Sequence, residues 1–114
     1  MALVRAACGG EAKPVGQALY EANCQSCHGG DSGGRIDEIP PRHNANGHTW
    51  HHPDQQLIQI ITGGFKVSDE RGQMPAFGEV LTMEEIRQIL EFVKTWWSED
   101  QRSYQDTVTA ERGE

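Results

Sequence analysis

The chain has 114 residues, enough for one domain, with a hydrophobic fraction of 36%, 13 glycines and a formal net charge of -7. The acidic excess excludes a nucleic-acid binder, because phosphate recognition needs a basic patch, and it gives no support for docking on anionic membranes. No apolar run approaches the ~20 residues of a membrane span, so no transmembrane segment is expected. The core looks thin for the length, and a large planar apolar cofactor would add buried area. A small loop-rich domain with nothing bound has the same composition. From Met74 onward acids outnumber bases, which reads as a solvated acidic face or, more sharply, as a field that steers a partner.

Residues 1–13 read as a flexible tail. The stretch Ala6-Ala7-Cys8-Gly9 is similar to the end of a bacterial lipoprotein signal, although Arg5 stands where such signals prefer Leu. Cys8 is therefore a candidate lipid anchor in the natural precursor, against a free thiol or a dimer-forming accident. Pro14 suits a first helical turn, and Val15, Ala18, Leu19 and Ala22 recur at helical spacing, to a stop at Gly29-Gly30. Residues 29–52 are loop-like, a length unusual in a compact domain unless the loop wraps a cofactor. Pro53 opens a second helix carrying Leu57, Ile58, Ile60 and Ile61, which Gly63-Gly64 should end. Residues 65–80 read as another loop, holding Met74-Pro75-Ala76-Phe77-Gly78. Thr82 and Glu85 fit a capping box for a third helix whose apolar stripe is Ile86, Ile89, Leu90, Val93 and Trp97, flanked by Phe92 and Trp96. Ser98 with Gln101 starts a polar helix through about Ala110, expected to pack outside. No strand alternation or repeat is visible. The class is all-α, with a domain over residues 14–97 and a C-terminal helical extension and tail over 98–114.

Cys24-Gln25-Ser26-Cys27-His28 has the C-x-x-C-H form of c-type haem attachment. Two thiols three residues apart on a helical turn project to one side, where each can form a thioether to one vinyl group of haem. His28 is then placed under the ring, with a nitrogen for the iron. Three other readings compete. A thioredoxin-like dithiol needs a βαβ setting that is missing, a zinc site lacks its second pair, and a structural disulfide needs no cofactor. Met74 is the candidate sixth ligand, because a thioether is a soft donor suited to low-valent iron and a glycine-flanked loop can lay it across the distal face. Core filling is the ordinary role of a methionine. Met83, at the start of the third helix, is better explained by packing. His43, His48, His51 and His52 read as exposed or propionate-contacting loop residues. Replacement of Met74 by one of them, or a surface metal site from His48 and His52, are lesser alternatives. Trp50 has an indole N–H for a propionate, or else packs at the core rim.

Over roughly Gly16 to Trp97 the chain resembles the class I c-type cytochromes. The resemblance implies a cytochrome c fold of three core helices around one covalent haem c. It implies that Gly16 and Tyr20 let the first helix cross the last near Ile89 and Phe92. It implies a carbonyl near Pro40 for the other ring N–H of His28. The segment from Met74 through Leu81-Thr82-Met83 to Ile86 is similar to the family's distal loop and final helix. The run Gly47-His48-Thr49-Trp50-His51-His52-Pro53 and the pair Trp96-Trp97 depart from the general pattern.

The expected function is one-electron transfer rather than catalysis. Cys24 and Cys27 would carry the haem, and His28 and Met74 would fill both axial positions. Partners would be an upstream reductase and a downstream oxidase or small copper protein, met by a monomer. Haem attachment occurs outside the bacterial cytoplasm, so the expected location is the periplasm or the outer face of the cytoplasmic membrane. A haem enzyme or gas sensor with a displaceable Met74 is the alternative.

Overall fold

The computed structural model describes residues 13–29, 43–68 and 72–112. Cys8 and Pro40 lie outside the described residues. Helix α1 spans Val15–Asn23 and starts at Pro14, whose φ of -56° and ψ of 148° make it the N-cap. The sequence periodicity favours Val15, Ala18, Leu19 and Ala22 for the buried face; Leu19 does pack against the core, but the buried residues are Gly16 and Tyr20, and Val15, Ala18 and Ala22 are exposed. The difference is physical: an aromatic ring offers far more area to bury than two alanine methyls. At Cys24 the backbone (φ -121°) breaks the axis, and a second short helix, α2, runs Gln25–His28 until Gly29 turns away at φ 81°.

A 3-10 turn at Thr49–His51 leads into α3, Asp54–Gly63, capped by Gly64 at φ 81°. The glycine stop expected there is therefore present. Leu57 is the buried residue of α3, with Ile58 and Ile61 partly covered against the core. The segment read as a loop contains a short antiparallel ribbon, β1 Phe65–Ser68 and β2 Gly72–Met74, with Phe65 opposite Met74 and an irregularity between Lys66 and Ser68. The ribbon does not alter the all-α class, and such short strands leave no alternation to read. Phe77 and Gly78 then donate their N–H groups to the Ile61 and Thr62 carbonyls at 2.9 and 3.1 Å, tying the segment to the end of α3.

Helix α4, Met83–Lys94, begins with the expected capping box: Glu85 N–H donates to Thr82 Oγ1 at 3.0 Å and Thr82 N–H to Glu85 Oε1 at 2.8 Å. Its buried residues Ile86, Ile89 and Val93 join Tyr20, Leu81 and Trp97 in the core, while Leu90 is also buried. Trp96 lies half-buried beside its buried neighbour Trp97, as two adjacent indoles must divide. Helix α5, Glu99–Arg112, starts on a reciprocal pair between Ser98 and Gln101. It docks through polar contacts. Gln105 is wholly buried, and its Nε2 donates to the His52 carbonyl at 3.0 Å and to Asp54 Oδ1 at 2.8 Å. The buried Lys94 ammonium meets the same Asp54 carboxylate at 3.0 Å. Among the described residues no helix is long and apolar enough to cross a membrane.

Helix α1 crosses closely over α4 at Gly16. A Cβ there would overlap the Gln88 carbonyl and lie 3.2 Å from Phe92 Cβ. Gly16→Ala is therefore expected to lower stability by about 1–3 kcal/mol, the range for overpacking, despite the better helix propensity of alanine. The shift of the urea midpoint measures this, and an unchanged midpoint contradicts the close-packed crossing.

Candidate functional site

The Cys24–His28 turn hangs from the last turn of α1. Cys24 N–H donates to the Tyr20 carbonyl at 2.8 Å, and the Cys24 carbonyl accepts from Cys27 and His28 at 3.2 and 3.0 Å. These bonds hold both cysteines and the histidine on one helical turn, as their spacing requires. Cys24 is half-buried, Cys27 is exposed, and both thiols are free. His28 is buried at 8% exposure. Burial, and secondarily Cys27, pushes the Cys24 thiol up to about 11. Burial thus disfavours the thiolate at Cys24.

Two side chains brace this turn. The Tyr20 hydroxyl donates to the Gly29 carbonyl at 2.5 Å, while Gly29 N–H donates to the Gln25 carbonyl at 2.8 Å. The residue after His28 is thus fixed through both of its backbone polar groups. Burial holds the Tyr20 hydroxyl well above its ordinary range, so it stays a donor. The second brace is His43, whose ring lies 4.2 Å from that of His28, tilted by 34°. Burial first, and His28 second, push His43 down to about 3. The neutral ring shares a 2.6 Å hydrogen bond with the Thr49 hydroxyl, and the His43 carbonyl accepts from Trp97 Nε1 at 2.9 Å. Imidazoles on opposite sides of one metal, each about 2 Å from it, would hold their centroids farther apart than this. His43 accordingly packs beside His28 rather than opposing it across a metal.

Met74 lies on a separate element, half-buried at the end of β2. Gly64 sets its approach: at φ +81° its added Cβ would lie 2.8 Å from the Met74 carbonyl and 3.0 Å from Ala76 N. The structure therefore brings Cys24, Cys27 and His28 together and carries Met74 on the ribbon beside α3. Met83 is exposed at the start of α4. Trp50 takes the rim position: its Nε1 donates to the Gly47 carbonyl at 3.1 Å, and its ring borders the core. Neither the Tyr20 hydroxyl bond nor the His43 stack was foreseen. Spacing could have found the first, since residues 20, 24 and 28 share one helical face; a loop histidine gives no such signal.

Two free thiols and a buried imidazole on one braced turn suit covalent haem, and with the helical core they define a class I c-type cytochrome domain. The chain belongs to the family described as cytochrome c oxidase, cbb3-type, subunit III, which it matches over residues 11–93. It is 30% identical over 87 residues to the cbb3-type cytochrome c oxidase subunit FixP of Azorhizobium caulinodans, covering 74% of this chain and 29% of that protein. The FixP subunit of Sinorhizobium medicae is 31% identical over 83 residues, 69% of this chain and 28% of that one. The chain thus spans less than a third of the length of these curated relatives. Cytochrome c6 of Alaria esculenta is 26% identical over 80 residues, 70% of this chain and 86% of that protein. No solved structure matches the chain. Membership of this family makes the chain a haem c protein of electron transport.

Tyr20→Phe keeps the ring contacts with Phe92 and Trp96 and removes only the bond to Gly29. The expected loss is about 1 kcal/mol, the net worth of one hydrogen bond, read by denaturant unfolding. A fully stable variant contradicts the bracing role.

Proposed function

We propose that the chain is a one-electron carrier, not an enzyme, in which Cys24 and Cys27 hold a single haem c through two thioethers, with His28 as proximal and Met74 as distal ligand. The observation that carries this reading is the pair of cysteines, neither in a disulfide, on one turn with a buried histidine. When bound, the haem supplies an iron centre that cycles between Fe(III) and Fe(II). His28 enters that arrangement from a turn fixed by backbone bonds on both sides. Met74 enters it from a segment tied to α3. With both axial positions taken by protein, a substrate has no open coordination site.

The carrier domain comprises residues 14–97, and 98–114 form a C-terminal helical extension and tail. Its partners are an upstream reductase and a downstream oxidase or small copper protein, and the names of the FixP relatives favour an oxidase. We place it, as a monomer, in the periplasm or on the outer face of the cytoplasmic membrane, with Cys8 a lipid-anchor candidate in the precursor.

His28→Ala is expected to fail to mature with haem, and a normal pyridine haemochrome yield contradicts the proximal assignment. Met74→Ala is expected to lose the weak near-infrared-edge band of Fe(III)–sulfur ligation while keeping the haem; persistence of the band removes Met74 as ligand. The reduced wild-type protein is expected not to bind carbon monoxide rapidly at neutral pH. Rapid binding favours the gas-sensor or enzyme reading, with Met74 displaceable.

A further inference from the structure

A ring cluster outside the haem turn has no part in the proposed electron transfer. His48, Trp50, His51 and Tyr104 meet where the 3-10 turn packs against α5. The His48 and His51 rings lie 5.4 Å apart, inclined by 60°. Their spacing follows from the backbone: His51 N–H donates to the His48 carbonyl at 3.0 Å, and in a 3-10 turn residues i and i+3 eclipse one another. Both side chains are exposed, and among the described residues no hydrogen bond occupies either imidazole.

The turn beneath them is held firmly. Thr49 is buried and bonded to His43, and Trp50 is fixed through its indole N–H to Gly47. The Trp50 ring stacks on His51 at 3.9 Å, and Tyr104 of α5 closes on both rings, at 5.7 Å from Trp50 and 6.1 Å from His51. His51 therefore keeps its orientation without using its nitrogens.

We propose that His48 and His51 form a surface chelate for one divalent transition-metal ion, best matched by copper(II). Two adjacent ligands with metal–nitrogen distances of about 2.0–2.1 Å place imidazole centroids about 4.5 Å apart at a right angle and about 5 Å apart at a tetrahedral angle, so the exposed His48 ring closes by about 1 Å from the observed 5.4 Å to meet the tetragonal preference of copper(II). An all-imidazole donor set suits copper, nickel and zinc, and copper(II) binds most tightly among them. Among the described residues no cluster of three or more His, Cys, Asp or Glu forms a metal site. The pair thus offers two protein nitrogens to the ion at an exposed position. His52, which the sequence offers as the partner of His48, is not in the pair; its carbonyl is taken by Gln105 at 3.0 Å.

The test titrates copper(II) sulfate into the full haem-loaded chain after alkylation of free thiols. Alkylation removes Cys8 as a competitor, and also Cys24 and Cys27 should they be unattached, so the outcome does not depend on the haem-ligand assignment. Calorimetry is expected to give one copper per chain, with nitrogen hyperfine structure in the copper EPR signal. His48→Gln and His51→Gln should each weaken binding about tenfold or more, since each removes one of two protein ligands, with circular dichroism unchanged. His52→Gln should leave the affinity in place. Absence of stoichiometric binding overturns the proposal, as does undiminished affinity in either His48 or His51 variant. A loss in His52→Gln equal to theirs also overturns it.

Discussion

Where α1 lies on α4, Gly16 has no side chain, and the α1 backbone rests against the Gln88 carbonyl. One turn further along α1, that closeness lets Tyr20 reach Phe92 and Trp96, at centroid distances of 5.7 and 5.2 Å. The ring is almost completely buried, so its hydroxyl must find a partner inside the protein. It finds the carbonyl of Gly29, the residue after His28. A contact made at the first turn of α1 thereby governs the backbone that presents the histidine. The Cys24–His28 turn is too short to hold itself, since one helical turn is an unfavourable nucleus. It is ordered because α1 feeds it from one side and Tyr20 pins it on the other.

The second long-range constraint is polar. Helix α5 has little apolar surface to bury, and it docks by directional bonds instead. Lys94 and Gln105 both bond the Asp54 carboxylate, and Arg102 donates to the Lys94 carbonyl at 2.9 Å. Asp54 N–H donates to Thr109 Oγ1 at 3.0 Å. An ion pair with one buried and one half-buried partner gives back part of its Coulombic gain in desolvation, so its value lies largely in geometry. That geometry holds the stretch from His43 to His52, which has only one 3-10 turn of regular structure. Trp97 bonds the His43 carbonyl, Gln101 the Ala45 carbonyl at 3.1 Å and Gln105 the His52 carbonyl. The His43 ring can lie on His28 because the strand of chain carrying it is fastened to α4 and α5.

What the sequence made legible was local. The capping box at Thr82 and Glu85, the stop at Gly64 and the stripe on α4 each depend on residues within a turn or two. The contiguous Cys24–His28 motif is legible for the same reason. The buried face of α1 was legible only at Leu19, because periodicity weighs Val15, Ala18, Leu19 and Ala22 by hydrophobicity and cannot see that Gly16 is wanted for its absence of a side chain; only the family resemblance suggested it. The ribbon from Phe65 to Met74 escaped because its strands are too short to alternate. The pairing of His48 with His51 rather than His52 turned on whether residues 49–51 coil as a 3-10 turn, a choice of backbone that their side chains do not announce.

These constraints bear on what a carrier requires. Electron exchange is favoured when the groups around the redox centre move little between its two charge states. His28 belongs to a turn with backbone bonds entering from Tyr20 and leaving through Gly29. Met74 precedes a segment anchored by Phe77 and Gly78 to the Ile61 and Thr62 carbonyls, and it approaches across Gly64, where a side chain would be both strained and obstructed. The two candidate ligands thus stand on separate elements, each fixed by backbone hydrogen bonds rather than by the metal. In the proposed His28–Met74 arrangement the backbone at both positions would therefore be held by the fold itself, and a change of one charge at the iron would not require either segment to move.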